Sequence, residues 1–518
     1  MNNKYLIRII VVIQFSFLLA QSDGWDSHLL TTSTLDVRLS NSGVLDWYTD
    51  PPAIQHRFYA ESWDYIIFNH TIELTAYRND ELIGVVNNYL IDYSPGPIIN
   101  DSAAMQVSPE NADDYRVYYI NQNSTVGNID YDEWPIQWGA PHDEIGRPKV
   151  YGTQTAFSVY NDAHTGDDYR GWPYTEPTKL QVAETVWSYD DEPLLDNTVF
   201  FRYRFHNKDS VDYQNAIISL WSDVDLTSPL ANWGGYNTEY NFMHCYYYIN
   251  VGDTALPKVA AYILLQGPLV PETGNTGKAF EQIYNNHSNL NVTAGWYIFD
   301  DNIYNPDLFG ATPATLQDAR FLAEGLMMNG SPIINPLTGD TTTYSFDGDP
   351  ATGEGWLWDI ATPQGGSGII SSSGTFNLPA GDSSEVIYAL VVTEGVTYQE
   401  GFLAMYDKVA QIYDWWDTHG LGTNSETVIN PTDYKIINAY PNPFNGAITI
   451  DLILSHGSNK IFIYDLLGQI QYKNVIQGLH SNEYSIQWQP DKNQPSGIYF
   501  IKISNSQLES EKKIMYIK

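Results

Sequence analysis

Two pairs of aspartates have the spacing expected of a cation site. Asp223 and Asp225 lie one residue apart at the end of a predicted strand, and Asp347 and Asp349 flank Gly348 in a predicted tight loop. Side chains two positions apart leave a strand on the same face, and carboxylate oxygens suit Ca²⁺. The alternative is that these residues cap backbone N–H groups in turns. The sequence therefore suggests Ca²⁺ at either pair and leaves a structural role open; it indicates no other cofactor.

Four aromatic side chains in two short clusters could stack on sugar rings. They belong to Trp233-Gly-Gly-Tyr236 and to Trp356-Leu-Trp358. Such rings combine a flat apolar body with a polar edge. The chain also holds 39 Tyr and 15 Trp, and residues of this kind fit half-buried strands equally well. A glycan is thus one candidate ligand, and ordinary strand packing is the alternative.

No short motif identifies a catalytic residue. The sequence lacks His-Glu-x-x-His, Gly-x-Ser-x-Gly and the glycine-rich phosphate loops. Cys245 is the only cysteine, so no internal disulfide can form. It lies in a predicted strand from which His244 projects to the opposite face, and this predicts a buried thiol rather than a nucleophile. Glycosidase carboxylates leave little local signature, so the catalytic residues of a hydrolase would remain unknown.

The charge of the chain excludes two classes of partner. The net charge is −37, and residues 21–429 hold 15 basic and 55 acidic residues. Such a field repels nucleic acid and anionic lipid. Residues 430–518 hold 8 Lys and 7 acidic residues. This sharp change of charge predicts a domain boundary close to residue 430.

The N-terminus has the pattern of a secretory signal peptide. Lys4 and Arg8 precede a short apolar run that ends at Leu19 and Ala20. A charged start, a short apolar run and a small residue are typical of a cleaved signal, and we expect cleavage after Ala20. No other segment approaches the apolar length that spans a bilayer, so we expect no transmembrane segment in the mature chain.

The rest of the chain is predicted to be mainly β, with several β-sandwich domains and a few packed helices. Short β-branched or aromatic runs alternate with Asn, Asp, Gly and Pro, as in sandwiches. Apolar residues at helical spacing predict helices over Thr315–Met328 and Gln399–His419. The resulting plan is a signal peptide (1–20), a β-rich domain (21–200), a β-rich domain with helices (201–420), a linker (421–437) and a small C-terminal domain (438–518).

The C-terminal domain carries four motifs in a fixed order. They are Tyr440-Pro441-Asn442-Pro443-Phe444, the turn Asp465-Leu-Leu-Gly468, the segment Pro495-Ser-Gly497-Ile-Tyr499, and a final Lys518. In this combination residues 438–518 resemble the type A sorting domain of the type IX secretion system. The resemblance implies a small immunoglobulin-like sandwich, recognition by the outer-membrane translocon, and commonly removal by a surface sorting protease. It implies a secreted protein, outside the cell or on the outer-membrane surface, and leaves open whether the final form is anchored or released.

The remainder of the chain resembles a set of uncharacterised type IX-exported proteins. Residues 25–420 match that set in short pieces such as Glu133-Trp-Pro135 and Gly139-Ala-Pro141. That set has no assigned activity, so the likeness suggests common descent without a function. Its members continue the Asp-x-Asp segment into an acidic run, whereas this chain continues with Leu226-Thr-Ser-Pro.

The sequence therefore predicts an exported protein whose body has a non-catalytic adhesive, binding or structural role. The alternative is a secreted hydrolase that acts on polysaccharide or protein. Aromatic residues buried in sheets would favour the first interpretation. A cleft with exposed Trp beside two close carboxylates would favour the second. The ligand or substrate and the oligomeric state are not determined by the sequence.

Overall fold

The computed structural model describes most of the chain. The described residues are 24–32, 34–45, 66–86, 92–166, 175–226, 232–247, 256–299, 313, 315–358, 367–420, 428–429, 435–453, 457–466, 468–478, 483–504 and 509–518. The predicted signal peptide, with Ala20, and most of the predicted linker lie outside these ranges.

The structure is mainly β, as predicted. Among the described residues the strands are, in chain order, β1 (Ser27–Thr31), β2 (Asp36–Ser40), β3 (Val44–Leu45), β4 (Ile67–Arg78), β5 (Glu81–Val85), β6 (Ser94–Pro95), β7 (Ile98–Ile99), β8 (Ser102–Ala103), β9 (Tyr118–Asn121), β10 (Gln154–Asn161), β11 (Leu180–Ser188), β12 (Thr198–Asn207), β13 (Tyr213–Val224), β14 (Asn232–Asn237), β15 (Phe242–Tyr247), β16 (Lys258–Gln266), β17 (Leu269–Ala279), β18 (Gln282–Asn289), β19 (Ala294–Phe299), β20 (Ile333–Ile334), β21 (Thr341–Thr342), β22 (Ser367–Leu378), β23 (Ser383–Glu394), β24 (Val428–Ile429), β25 (Lys435–Tyr440), β26 (Ile448–Ile453), β27 (Gly457–Asp465), β28 (Ile470–Gly478), β29 (Glu483–Trp488), β30 (Gly497–Ser504) and β31 (Glu509–Tyr516).

The helices are few and short, with one exception. The α-helices of the described chain are α1 (Ala104–Val107), α2 (Ile129–Asp132), α3 (Leu316–Ala323) and α4 (Tyr398–His419), and 3₁₀ turns cover Pro109–Tyr115 and Ile136–Trp138. The chain divides into two compact units: residues 1–268, 290–378 and 384–420 form the first, and residues 269–289, 379–383 and 421–518 form the second.

Two large sheets form the core of the first unit. In the described chain, one sheet has the order β14-β15-β16-β23-β12-β11-β10-β6, with β9 also paired to β10, and the other has the order β19-β22-β13-β4-β3, with β5 paired to β4. The sheets face each other, because His70 on β4 contacts the hydroxyl groups of Tyr203 on β12 and Tyr262 on β16. The strands therefore form one layered core, as expected of a sandwich.

The boundary that the sequence suggested between residues 200 and 201 falls inside β12. Strands on both sides of it share one sheet, because β11 pairs with β12 in antiparallel register from Leu180↔Asn207 to Ser188↔Val199. Alternation of apolar residues identifies a strand but carries no information on its neighbours. The structure thus joins residues on both sides of the suggested boundary in a single unit.

The two predicted helices are present with different lengths. Helix α3 begins after Thr315, whose side chain forms a capping box with Asp318, and it ends well before Met328. Gly325 follows with φ of +76°, a left-handed conformation that ends helices. Helix α4 matches the prediction to within one residue, and five of its apolar side chains at helical spacing are buried: Phe402, Met405, Val409, Ile412 and Trp416.

In the second unit, the strands from residue 435 onward form a small sandwich. The described sheets have the orders β25-β26-β29 and β28-β27-β30-β31. Alternate isoleucines on β26, β27 and β30 are buried and face a common core with Phe444 and Trp488. Elsewhere in this unit, β17, β18 and β24 form a separate sheet.

Candidate functional site

The first C-terminal motif is bound to the last strand of the chain. The backbone N–H of Phe444 donates to the carbonyl of Met515 at 3.0 Å, and the N–H of Ile517 donates to the carbonyl of Phe444 at 2.8 Å. The Asn442 side chain accepts from the N–H of Met515 at 2.8 Å. We call these contacts between residues 442–444 and 515–517 the terminal pairing. Phe444 itself is buried against Trp488, so it anchors the motif in the core.

The prolines and Tyr440 of this motif lie at the surface of the domain. Pro441 and Pro443 both follow cis peptide bonds. Tyr440 is exposed, as are the side chains of Met515 and Ile517. The motif therefore combines one buried anchor with apolar side chains that a partner can reach.

The other motifs also hold the domain together. The Tyr499 hydroxyl donates to the carbonyl of Pro495 at 2.7 Å. The backbone N–H of Lys518 donates to Ser496 Oγ at 2.8 Å, and its ammonium group donates to the carbonyl of Lys492 at 2.7 Å. Lys518 directly follows the terminal pairing, so three of the four motifs meet in one part of the domain. Gly497 begins β30 in the same segment.

The Asp465 motif forms a tight turn. Its carboxylate accepts from the N–H of Gln469 at 3.0 Å and from the side chain of Gln471 at 2.8 Å. Gly468 has φ of +77°, a conformation that glycine adopts at little cost. This turn caps its own backbone groups and fixes the step from β27 to β28.

Comparison with protein families identifies this domain. Residues 438–518 match the family described as the secretion system C-terminal sorting domain, which confirms the resemblance seen in its motifs. This part of the chain is a type IX sorting domain. The protein is accordingly exported across the outer membrane by the type IX machinery, to the cell surface or the medium.

Comparisons for the whole chain carry little information. No curated protein sequence matches it significantly. Similar solved structures include a polysaccharide lyase, at 9% identity and a TM-score of 0.17, with 86% of this chain and 46% of the lyase covered. They also include the ectodomain of the C. elegans fusion protein EFF-1, at 7% identity and a TM-score of 0.12. That match covers 95% of this chain and 98% of the ectodomain chain. This chain thus spans about half the length of the lyase, and at these scores neither likeness bears on function.

In the body, the pair Asp347 and Asp349 is engaged in holding its own loop. Asp349 accepts hydrogen bonds from the Tyr406 hydroxyl, from the N–H of Ala351 at 2.9 Å and from Thr352 Oγ1 at 2.8 Å. Burial alone would raise the pKa of Asp349, but these hydrogen bonds outweigh it and lower the pKa below its ordinary value. Asp347 accepts from the side chain of Asn335 at 3.1 Å. The contacts match the turn-capping alternative.

The pair Asp223 and Asp225 has different surroundings. Asp223 lies at the end of β13 and is buried, directly opposite Asn69 of β4. The N–H of Asp225 donates to the carbonyl of Ile66 at 3.0 Å, so the chain segments that adjoin β13 and β4 remain adjacent beyond the paired residues of these strands. In the part of the chain that the structure describes, no three His, Cys, Asp or Glu side chains come together as a metal site. A cation here would need amide or carbonyl oxygens as further ligands.

The aromatic side chains that suggested glycan stacking are largely occupied by other rings. Trp233, Tyr236 and Trp356 are buried, and Trp358 is half-buried. Tyr236 stacks on Tyr344 with ring centroids 4.3 Å apart. Trp356 and Trp358 both pack on Phe346, and Trp233 packs on Tyr246. The sequence identified these residues as aromatic clusters but could not show that their faces are covered. The burial of the first three rings favours the strand-packing alternative.

The predicted burial of the single cysteine is confirmed. Cys245 is buried and forms no disulfide, and burial raises the pKa of its thiol well above the ordinary value. His244 lies on the opposite face of β15, edge-on to Phe402 of α4 at 4.9 Å. Burial lowers the pKa of His244 to about 3, so it is neutral at pH 7. The two side chains therefore form no nucleophile–base pair.

A chain of buried polar groups between the two large sheets was not visible in the sequence. The ring nitrogens of His70 lie 2.8 Å from the hydroxyl oxygens of Tyr203 and Tyr262. Tyr262 continues to Ser222 Oγ at 3.2 Å. Glu184 lies opposite Tyr203 in the paired strand. All five side chains are buried, which indicates a polar core rather than a site open to substrate.

The only sequence signal for this core is a charged residue in an otherwise uncharged strand, at Glu184 in β11. Burial raises the pKa of Glu184 to about 8, although nearby hydroxyl groups act in the opposite direction. The carboxyl group is therefore protonated at pH 7. A neutral acid can remain in a low-dielectric core where a carboxylate would be costly.

This protonation predicts a specific pH dependence of stability. Between the ordinary value of 4.5 and about 8, the folded state keeps a proton that the unfolded state has released. Stability contributed by this group is therefore full below pH 4.5 and is lost as the pH rises towards 8. We expect Glu184→Gln to remove this loss, and to be more stable than the wild type at pH 8.5 by a free energy on the order of 4 kcal/mol.

The measurement is a series of urea unfolding curves from pH 5 to pH 8.5. Glu81→Gln, on an exposed position of β5, is the control and should follow the wild type at every pH. A constant difference between Glu184→Gln and the wild type across this range would show that Glu184 does not hold a proton in the folded state.

A second buried ionic group lies in the larger sheet. Glu385 accepts from Arg202 Nε at 2.7 Å and from Arg204 Nε at 2.8 Å. Its other oxygen accepts from Gln266 at 2.8 Å, and Arg202 also donates to the Tyr151 hydroxyl at 3.1 Å. Burial alone would raise the pKa of Glu385, but the two guanidinium groups outweigh it and hold the pKa at about 2. This group is a buried structural ion network.

Within the described residues, no helix has both the length and the apolar character needed to cross a membrane.

Proposed function

We propose that residues 21–429 form a non-catalytic body that acts outside the cell as an adhesive, binding or structural module. In this proposal the type IX translocon carries the protein across the outer membrane, and a surface protease then removes residues 438–518. The sorting domain supports the route. The role of the body is a separate inference from its interior.

The proposal rests on the contacts of the residues that could take part in catalysis or ligand binding. Glu385 is bound by two arginines, Asp349 holds its own turn, and Cys245 is buried away from His244. Trp233 and Tyr236 are packed into sheets. A hydrolase needs carboxylates that can reach a substrate, whereas Glu385 is buried in an ion network and Asp349 is engaged by its own turn. Sandwiches of this kind usually present their binding surfaces on loops.

The proposal predicts that the purified protein has no hydrolase or lyase activity. It should release no reducing or unsaturated sugar ends from common marine and plant polysaccharides, and no peptides from casein. The same preparations are tested for polysaccharide binding by affinity electrophoresis, with heat-unfolded protein as the control for non-specific adsorption.

Binding without turnover would support a binding or adhesive role, and neither binding nor turnover would support a structural one. Turnover that a single Asp or Glu to Ala substitution abolishes would overturn the proposal and would identify a catalytic residue.

A further inference from the structure

One buried side chain of the first unit lacks the partners that its chemistry requires. Asn69 lies in β4 and is 0% exposed. In the described chain, neither the oxygen nor the nitrogen of its amide has a hydrogen-bond partner. Buried polar groups are nearly always bonded, and an exception commonly marks an ion or a water. Asn69 therefore points to an occupant of the space beside it.

Asn69 faces the same space as an aspartate. In the antiparallel ladder of β4 and β13, Asn69 is directly opposite Asp223. Directly opposed residues project from the same face of a sheet, with their Cβ atoms about 5 Å apart. Asp223 is itself buried, at 6% exposure. An amide and a carboxylate are thus placed side by side in a region of low dielectric.

Asp225 extends this pair. The ladder shifts register between Asp223 and Val224, and the N–H of Asp225 then bonds to the carbonyl of Ile66 at 3.0 Å. The extra residue of this bulge, Phe68, lies in β4, so β13 keeps its own alternation up to Val224. Asp225 follows Asp223 by two positions, directly after the strand, and its hydrogen bond to Ile66 keeps it beside β4.

The available ligand atoms indicate which kind of metal ion could bind here. Two carboxylates and one amide supply only oxygen ligands, which suit Ca²⁺ and not the transition metals that select imidazole or thiolate. Ca²⁺ also accepts backbone carbonyls and water, so three side chains are a sufficient frame. The body of the protein is strongly acidic and concentrates cations at its surface.

We propose that Asn69, Asp223 and Asp225 together bind a Ca²⁺ ion at the end of the β4–β13 ladder. The ion would be coordinated by the amide oxygen of Asn69 and by the carboxylates of Asp223 and Asp225. The proposal distinguishes this pair from Asp347 and Asp349, whose oxygens are engaged by their own loop. It is independent of the function proposed for the body.

The first test uses the wild-type protein after treatment with chelator. Equilibrium dialysis against CaCl₂ should show one bound Ca²⁺ per chain, and Ca²⁺ should raise the thermal midpoint more than MgCl₂ at equal concentration. Terbium(III) in place of Ca²⁺ should give luminescence sensitised by tryptophan, because Trp221 lies two residues from Asp223 in β13. Equal midpoints in Ca²⁺, Mg²⁺ and chelator, with no stoichiometric binding, would overturn the proposal.

The second test locates the ion. Asn69→Ala and Asp223→Asn should each weaken Ca²⁺ binding by about tenfold or more, whereas Asp191→Asn, on an exposed position, should bind as the wild type does. Asp349→Asn should lower stability but leave the response to Ca²⁺ intact. Undiminished binding in both Asn69→Ala and Asp223→Asn would place the ion elsewhere, and would leave a buried water as the partner of Asn69.

Discussion

Deletion of residues 438–518 is expected to abolish surface display and to leave the protein in the periplasm. These residues form the type IX sorting domain and contain all four motifs that define it. The body should still fold, because none of the described strands of its two large sheets comes from this range. The expected loss is therefore one of transport and not of structure.

The measurement is fractionation of cells that express the full chain or the truncated chain, with protease shaving of intact cells. A full-length chain with Val126→Ala, at an exposed position of the body, is the control and should reach the surface in normal amounts. Normal surface display of the truncated chain would mean that the domain is dispensable for export. Absence of the truncated chain from every fraction would instead show that the body does not fold without the domain.

Replacement of Glu385 by Gln should produce the largest loss of stability of any single substitution considered. The Glu385 side chain is 0% exposed, and it is the anion that two arginines share. Removing one partner of a buried ion pair leaves an uncompensated charge, which typically costs about 3–5 kcal/mol. Here Arg202 is almost as deeply buried as the glutamate. We therefore expect the free energy of unfolding to decrease by about 3–5 kcal/mol.

Urea unfolding of the two proteins at pH 7 measures this difference. Arg147→Ala is the control, because Arg147 forms an exposed ion pair with Asp143 at 2.7 Å, and exposed pairs contribute little. Its midpoint should barely move. If Glu385→Gln also left the midpoint unchanged, the arginines would have to be neutralised by another group, and the shared-anion interpretation would fail.

Local patterns in the sequence predicted the elements well. Short β-branched and aromatic runs predicted strands such as β12, where Tyr203 and Arg202 lie on opposite faces and contact His70 and Glu385. Apolar spacing predicted the bounds of α4 to within one residue. These features depend on repeats of two or about 3.6 residues, which neighbouring residues fully determine.

Partnerships across the chain could not be predicted. Glu385 lies 183 residues from Arg202 in the sequence, and His70 lies 192 residues from Tyr262. No spacing rule connects such residues, so the buried polar groups and the single two-sheet unit were both missed. The same limit explains the aspartate pairs, which look alike in sequence and differ only in what the fold places beside them.

The terminal pairing has a consequence for protein synthesis. The first sorting motif, at residues 442–444, completes its hydrogen bonds only when residues 515–517 are present. A ribosome that stalls, or a message that ends early, yields a chain in which Phe444 has no strand to join. Such a product cannot assemble the domain that the export machinery recognises. Loss of the last strand should thus disable the first sorting motif as well, and we expect a chain that stops before residue 515 to remain inside the cell.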